Sequence, residues 1–224
     1  MLYLLEIILF ATLYYWFCMN KNLKKINVKE TFQPVNLLAI AMIATGMCFF
    51  VNFQLHMVFE VLPDYMVHEY ENAMNSQGYG IRLIPTINTL ILAPIGEEFM
   101  FRGVLFYYLL KLLLLKCGKR TSFWMANIVQ AVCFGLFHMN LIQGTYAFFI
   151  GLVLGYLVYR FESIIPAIIS HMIHNFLSLF VWEPVVKSMP NHDGAFAVAA
   201  CLSICVVVLG MMLCVVNSDK MGKE

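Results

Sequence analysis

Seven apolar runs, at about 2–18, 35–62, 83–115, 122–140, 143–160, 163–182 and 195–216, constrain this chain more than any other feature. A helix needs roughly 20 apolar residues to cross a hydrocarbon core of about 30 Å. Each run is long enough, although the first and fifth are near the short limit. The chain has 62% hydrophobic and 12% charged residues, about half the charge of a typical soluble domain. The expected fold is therefore all-α: a polytopic membrane helical bundle of about seven transmembrane helices, forming one transmembrane domain over 1–224. No internal repeat, low-complexity segment or soluble domain interrupts it. The longest polar break, Pro63 to Gly80 with Asp64, Glu69 and Glu71, reads as an extramembrane loop.

Basic residues set the orientation of such a bundle. Lys21, Lys24, Lys25 and Lys29 follow the first run, and Lys116, Lys119 and Arg120 follow the third. Arg160 ends the fifth, and Lys220 and Lys223 follow the seventh. The opposite connections hold Arg82 and Lys187 among Asp64, Glu69, Glu71, Glu183 and Asp193. This alternation predicts an external N-terminus and a cytoplasmic C-terminus in a plasma membrane. Tyr14, Tyr15, Trp16, Trp124 and Trp182 lie near run ends, as interfacial aromatic residues do. The first run has no basic residue before it and no small-residue cleavage site after it, so it reads as a retained span.

Seven cysteines, at 18, 48, 117, 133, 201, 205 and 214, lie mostly inside apolar runs without a CxxC pair. They read as small buried hydrophobes. Gly151 and Gly155 form a GxxxG whose small face predicts close helix packing. The net charge of +1 argues neither for nor against a nucleic-acid partner, and none is expected. The partners expected are the lipid bilayer and a membrane-associated substrate, with oligomeric state open.

Several ionisable residues fall where lipid makes them expensive. A charged side chain at the centre of a membrane helix costs about 2.5–3.5 kcal/mol on insertion scales. The third run holds Glu97, Glu98 and Arg102, the fourth Asn127, Gln130 and His138, and the sixth Ser170, His171, His174 and Asn175. Glu98 and Arg102 are four apart, so they stack on one helix face and can pair. Glu97 is rotated by about 100° from Glu98 and faces another partner. His171 and Asn175 repeat the four-residue spacing, as do Phe134 and His138, with Asn127 and Gln130 near the same stripe. Three helices thus each present polar groups to a common interior. His56 and Glu60, also four apart, read as a cap on the external end of the second helix.

The chemistry open to this set is narrow. No serine or cysteine stands in a nucleophile's context, and no Gly-rich phosphate loop is present. A carboxylate with a histidine can activate water as a general base, and a His/Asn pair can donate to the oxyanion formed at a carbonyl. That combination describes amide hydrolysis within the membrane. Glutamate and two histidines, Glu97, His138 and His171, can alternatively hold zinc with one position open to water. The common HExxH spacing is absent.

Glu97-Glu98-x-x-x-Arg102, Phe134-x-x-x-His138 and His171-x-x-x-Asn175, in that order on three apolar segments, resemble the three motifs of the CAAX protease and bacteriocin-processing (Abi) family of intramembrane proteases. The resemblance includes the type II CAAX prenyl endopeptidases and covers about residues 85–180 of a motif-bearing core at about 82–183. It implies an endopeptidase in which Glu97, with His138 beside it, activates water. His171 and Asn175 would form the oxyanion site, and Glu98 with Arg102 would hold and tune Glu97. Family substrates include prenylated CAAX proteins and small bacterial peptide precursors. A metal-free glutamate mechanism is preferred over zinc, because Asn175 is a poor zinc ligand and a good oxyanion donor. The alternatives are a non-catalytic peptide-immunity factor and a small proton-coupled transporter, the latter drawing on a break in the third span at Pro94.

Overall fold

The computed structural model describes residues 2–15, 28–76, 83–189 and 193–221. Lys21, Lys24, Lys25, Arg82, Lys223, Trp16 and Cys18 lie outside the described residues. Among the described residues every regular element is helical. In chain order they are α1 (Leu2–Tyr14), a turn at Val28–Thr31, α2 (Pro34–Phe59), α3 (Asp64–Ser76), α4 (83–113), α5 (Lys119–Phe137), α6 (Leu141–Phe161), α7 (Ile165–Phe180), α8 (Trp182–Ser188) and α9 (Asp193–Met221).

Of the seven expected spans, α2, α6 and Gly194–Asn217 of α9 are long and apolar enough to cross a membrane. A fourth qualifies if α7 and α8, bent by 51°, count as one. The other expected spans differ for physical reasons. The first run continues beyond the described residues, which hold 13 of its residues as α1, and α5 opens on Lys119 and Arg120 and carries Asn127 and Gln130. In α4 the helix twice widens into π segments, at Asn88–Leu92 and Phe99–Phe106.

The first π segment explains why Pro94 does not break α4. A proline inside a helix has no N–H and its ring collides with the carbonyl four residues back. Widening the preceding turn to the i→i+5 pattern, with the Ala93 N–H on the Asn88 carbonyl, relieves both demands. The backbone stays in the right-handed helical region through Ala93 and Phe99.

The described residues fall into two compact units, Met1–Val28 with Arg82–Ile168 and Lys29–Ile81 with Ile169–Glu224. The motif-bearing core is thus divided between them. In the first unit α1 lies on α4, where the edge of Tyr14 meets the Phe99 ring at 5.6 Å. A Cβ on Gly103 would stand 3.0 Å from the Tyr14 ring, so glycine sets that approach. Phe106, Phe123 and Ala126 form a buried core between α4 and α5 with Leu109, Leu110 and Leu113.

The α5–α6 connection is a tight hairpin. Met139 takes φ 52° to reverse the chain, and Asn140 caps α6 by accepting from the Gln143 N–H at 3.0 Å. Gly151 behaves as its small-residue motif predicts, because a Cβ there would come within 3.1 Å of Ala131 Cα. Nearer the turn, a Cβ on Gly135 would lie 2.6 Å from the Gly144 carbonyl oxygen. Backbone cannot yield there, so Gly135→Ala must push α5 and α6 apart. Overpacking of this kind costs about 1–3 kcal/mol. Thermal unfolding in detergent should show a clear drop for Gly135→Ala and little change for Gly118→Ala, where nothing lies within 4 Å. Equal midpoints for the two variants would contradict the hairpin packing.

In the second unit α2 and α9 run closely together. A Cβ on Gly46 would meet the Ser203 carbonyl oxygen at 2.7 Å, and one on Gly210 the Ala39 carbonyl oxygen at 2.9 Å. At one end of the pair Asn217 donates to Gln33 at 2.9 Å and to Asn36 at 3.1 Å. At the other end Phe53, Phe196 and Ala200 bury against Trp182, with Phe53 and Trp182 rings 4.9 Å apart. His56 stacks on Phe196 at 4.0 Å, and Glu60 is the C-cap residue of α2.

The loop expected from Pro63 to Gly80 needs correction: α3 occupies Asp64–Ser76. Pro63 precedes a helix start that Asp64 favours electrostatically. Met66, Val67, Tyr70, Ala73 and Met74 then recur at helical spacing on the less exposed side, and Tyr70 meets Phe59 at 5.3 Å. The charges suggested a solvated loop, whereas they occupy one face of an amphipathic helix.

Candidate active site

In the first unit α4 supplies the paired glutamates. Glu98 and Arg102 are 0% and 1% exposed, and Arg102 Nη1 donates to Glu98 Oε1 at 2.9 Å. The predicted i,i+4 pair therefore exists, at the junction where α4 passes into its second π segment. Glu97 is half-buried and also acts electrostatically on the Arg102 guanidinium.

Arg102 carries the site onward to α5. Its guanidinium carbon lies 4.2 Å over the Phe134 ring, a cation–π stack that gains strength where water is excluded. The Phe134 ring meets His138 edge-on at 4.9 Å. Phe134 is thus a platform between arginine and histidine, a role that its four-residue spacing from His138 signalled without showing. Phe101 packs against the same ring at 5.1 Å.

His138 was expected inside the fourth span, but it stands at the C-cap of α5, immediately before the hairpin. The difference follows from Met139, whose positive φ ends the helix. His138 Nδ1 lies 2.8 Å from the Phe134 carbonyl oxygen. A carbonyl oxygen only accepts, so Nδ1 donates in this contact, and in the neutral form of the ring Nε2 bears the lone pair.

Asn127 and Gln130 lie near the row of Phe134 and His138, and their amides also clamp α5 to α6. Asn127 Nδ2 donates to the Leu152 carbonyl at 3.0 Å. Gln130 Nε2 donates to the Gly151 carbonyl at 2.9 Å and to Asn127 Oδ1 at 2.8 Å. A helix carbonyl is normally screened by the side chain one turn on, and Gly155 has none. A Cβ at that position would run into Asn127 Oδ1 and stand 2.8 Å from Gln130 Nε2.

In the second unit α7 carries His171 and Asn175 four residues apart, hence on one face. His171 is 6% and His174 5% exposed. One turn beyond His174, Ser178 accepts from Asn52 of α2 at 3.3 Å. His174 belongs to a row with Ser170 and Ser178, distinct from the row of His171 and Asn175. The structure therefore joins Glu98, Arg102, Phe134 and His138 by direct contacts in one unit, and sets His171 and Asn175 on a shared helix face in the other. Among the described residues, no three His, Cys, Asp or Glu side chains group as a metal site.

Such a site has a buried ion pair, a half-buried carboxylate and a histidine with an assigned tautomer. These are parts for activating water and holding developing charge. Among known proteins, no curated protein and no solved structure matches the chain. A family model, that of the type II CAAX prenyl endopeptidase Rce1-like proteins, matches residues 80–177 and so takes in all three motifs. Over that stretch, a little under half of its length, the chain is similar to the type II CAAX prenyl endopeptidase Rce1-like proteins, and its long apolar helices are those of an integral membrane protein.

Proposed function

We propose that this protein is an intramembrane endopeptidase that hydrolyses a peptide bond in a membrane-associated peptide or protein. The Glu97 carboxylate takes a proton from water as the water oxygen attacks the scissile carbonyl carbon. His138 Nε2 accepts from the same water and orients it. His171 and Asn175 donate to the oxyanion of the tetrahedral intermediate. Glu97 then returns its proton to the departing amine, which closes the proton balance. Glu98 and Arg102 hold Glu97 in place and balance its charge. The observation that carries this reading is the unbroken line of contacts from Glu98 through Arg102 and Phe134 to His138.

The substrate class is a prenylated CAAX-type protein or a small peptide precursor, cleaved in a plasma membrane with the N-terminus external and the C-terminus cytoplasmic. No metal takes part in the proposed cycle. Were zinc required, Glu97, His138 and His171 would be its ligands and would polarise the carbonyl or activate water. The transporter alternative drew on a broken third span, and α4 runs through Pro94 without a break.

The test is cleavage of a membrane-bound peptide library, prenylated and unprenylated, by purified protein with and without a zinc chelator. Cleavage that survives chelation supports the glutamate mechanism. Loss on chelation with recovery on added zinc makes the three side chains metal ligands. Proton-coupled flux without product, or a cellular phenotype indifferent to Glu97, would replace the protease reading with one of its alternatives.

A further inference from the structure

Gln130, Phe134 and His138 follow one another at four-residue spacing on α5, so they form a single row. Arg102 stacks on the middle member of that row and pairs with Glu98 through Nη1 alone. Its Nε and Nη2 are buried donors with no hydrogen-bond acceptor. Gln130 is 0% exposed. Its Nε2 uses its two hydrogens on Asn127 Oδ1 and the Gly151 carbonyl, and its Oε1 is a buried acceptor with no donor. Both side chains converge on Gly151. Arg102 Nη2 lies 3.4 Å from where a Cβ on that glycine would be, and the Gly151 carbonyl holds Gln130. Leaving buried donors and a buried acceptor unmatched costs about 1–3 kcal/mol per group.

We infer that Gln130 is a positioning residue for the candidate site, with its Oε1 as the acceptor for the outer N–H groups of Arg102. Gly151 places no side chain between the two groups, and the proposed contact needs a torsional adjustment that turns Gln130 Oε1 and the outer Arg102 N–H groups towards each other. The guanidinium is then fixed on three sides: Glu98 at Nη1, Phe134 beneath and Gln130 at the outer edge. The catalytic consequence rests on the protease reading above, because Arg102 matters to turnover only if Glu97 is the base. The contact itself does not rest on that reading.

Two measurements separate these. The first is a double-mutant cycle on thermal unfolding in detergent, using Gln130→Met, Arg102→Lys and the double variant. Lysine keeps a charge for Glu98 and lacks the planar outer donors. Gln130→Met should lower the midpoint by about 4 °C in the native background and by less than half of that beside Arg102→Lys. The second compares Gln130→Met with Gln130→Glu in peptide cleavage. A carboxylate keeps an oxygen for Arg102 but cannot donate to the Gly151 carbonyl, so a mere helix clamp is lost in both variants. Positioning predicts that Gln130→Met lowers kcat about tenfold with KM little changed, while Gln130→Glu keeps most of kcat. Additive midpoints, or Gln130→Glu as impaired as Gln130→Met, would overturn the inference. Wild-type protein that cleaves no peptide sinks the protease reading instead, and the unfolding cycle still decides the contact.

Discussion

Replacing Glu97 with Gln is expected to reduce peptide cleavage by about three orders of magnitude, the middle of the range for a positioned general base. Gln has the same shape and keeps hydrogen-bonding capacity, but its amide cannot take the proton of the attacking water. The loss should therefore fall on kcat, with KM within about twofold of wild type. Glu97→Asp keeps the base and retracts it by one methylene, so it should lie between the two. Glu97 is half-buried, unlike fully buried Glu98, and neither substitution should shift unfolding much. Steady-state cleavage of one defined membrane peptide is the measurement. A Glu97→Gln enzyme that retains a tenth of wild-type kcat would move the base to another residue.

The second large effect is on stability. Arg102→Met leaves Glu98, 0% exposed, with its paired cation removed. Breaking a buried ion pair from one side costs about 3–5 kcal/mol, since a charge stays buried without compensation. Arg102→Met with Glu98→Leu removes both charges, and apolar replacements of a buried pair are often neutral or better. The single variant should thus unfold well below wild type and the double variant close to it. Both lose the stack on Phe134, so the difference between them isolates the stranded carboxylate. Reversible unfolding in mixed micelles measures it, and equal destabilisation of the two would show that the stack dominates.

How far the sequence could be read depended on which physical force carried each feature. The long apolar runs of α2, α6 and α9 answer to hydropathy alone and emerge as helices near their expected bounds. Glu98 with Arg102 and the Gly151 approach answer to helical spacing, which is local, and both are present. The π segments of α4 were not legible, because they depend on how a proline's missing donor is absorbed by the preceding turn. Nor was the work of Asn127 and Gln130. Residues 127, 130, 134 and 138 follow each other at three- and four-residue steps, and spacing cannot tell a face that clamps α6 from one that meets α4. The helix at Asp64–Ser76 was hidden by its acidic face, although its apolar positions were present at the right intervals.

The division of the chain has a consequence for synthesis. It visits the first unit, leaves for the second, returns, and leaves again. A ribosome that has reached Ile168 has delivered every segment of the first unit but only Lys29–Ile81 of the second. Up to that point α2 has been made without α9, the helix it lies against, and Gly46 still faces a partner that has yet to emerge. At about 5–20 residues per second, the gap between Phe59 and Asp193 leaves α2 waiting for several seconds or more. During that interval its small-residue face lacks the helix it packs against, whereas the Asn36 and Asn52 amides already have local acceptors in the Glu30 and Cys48 carbonyls. The two units of this protein are therefore completed at different times during synthesis, the first before the second.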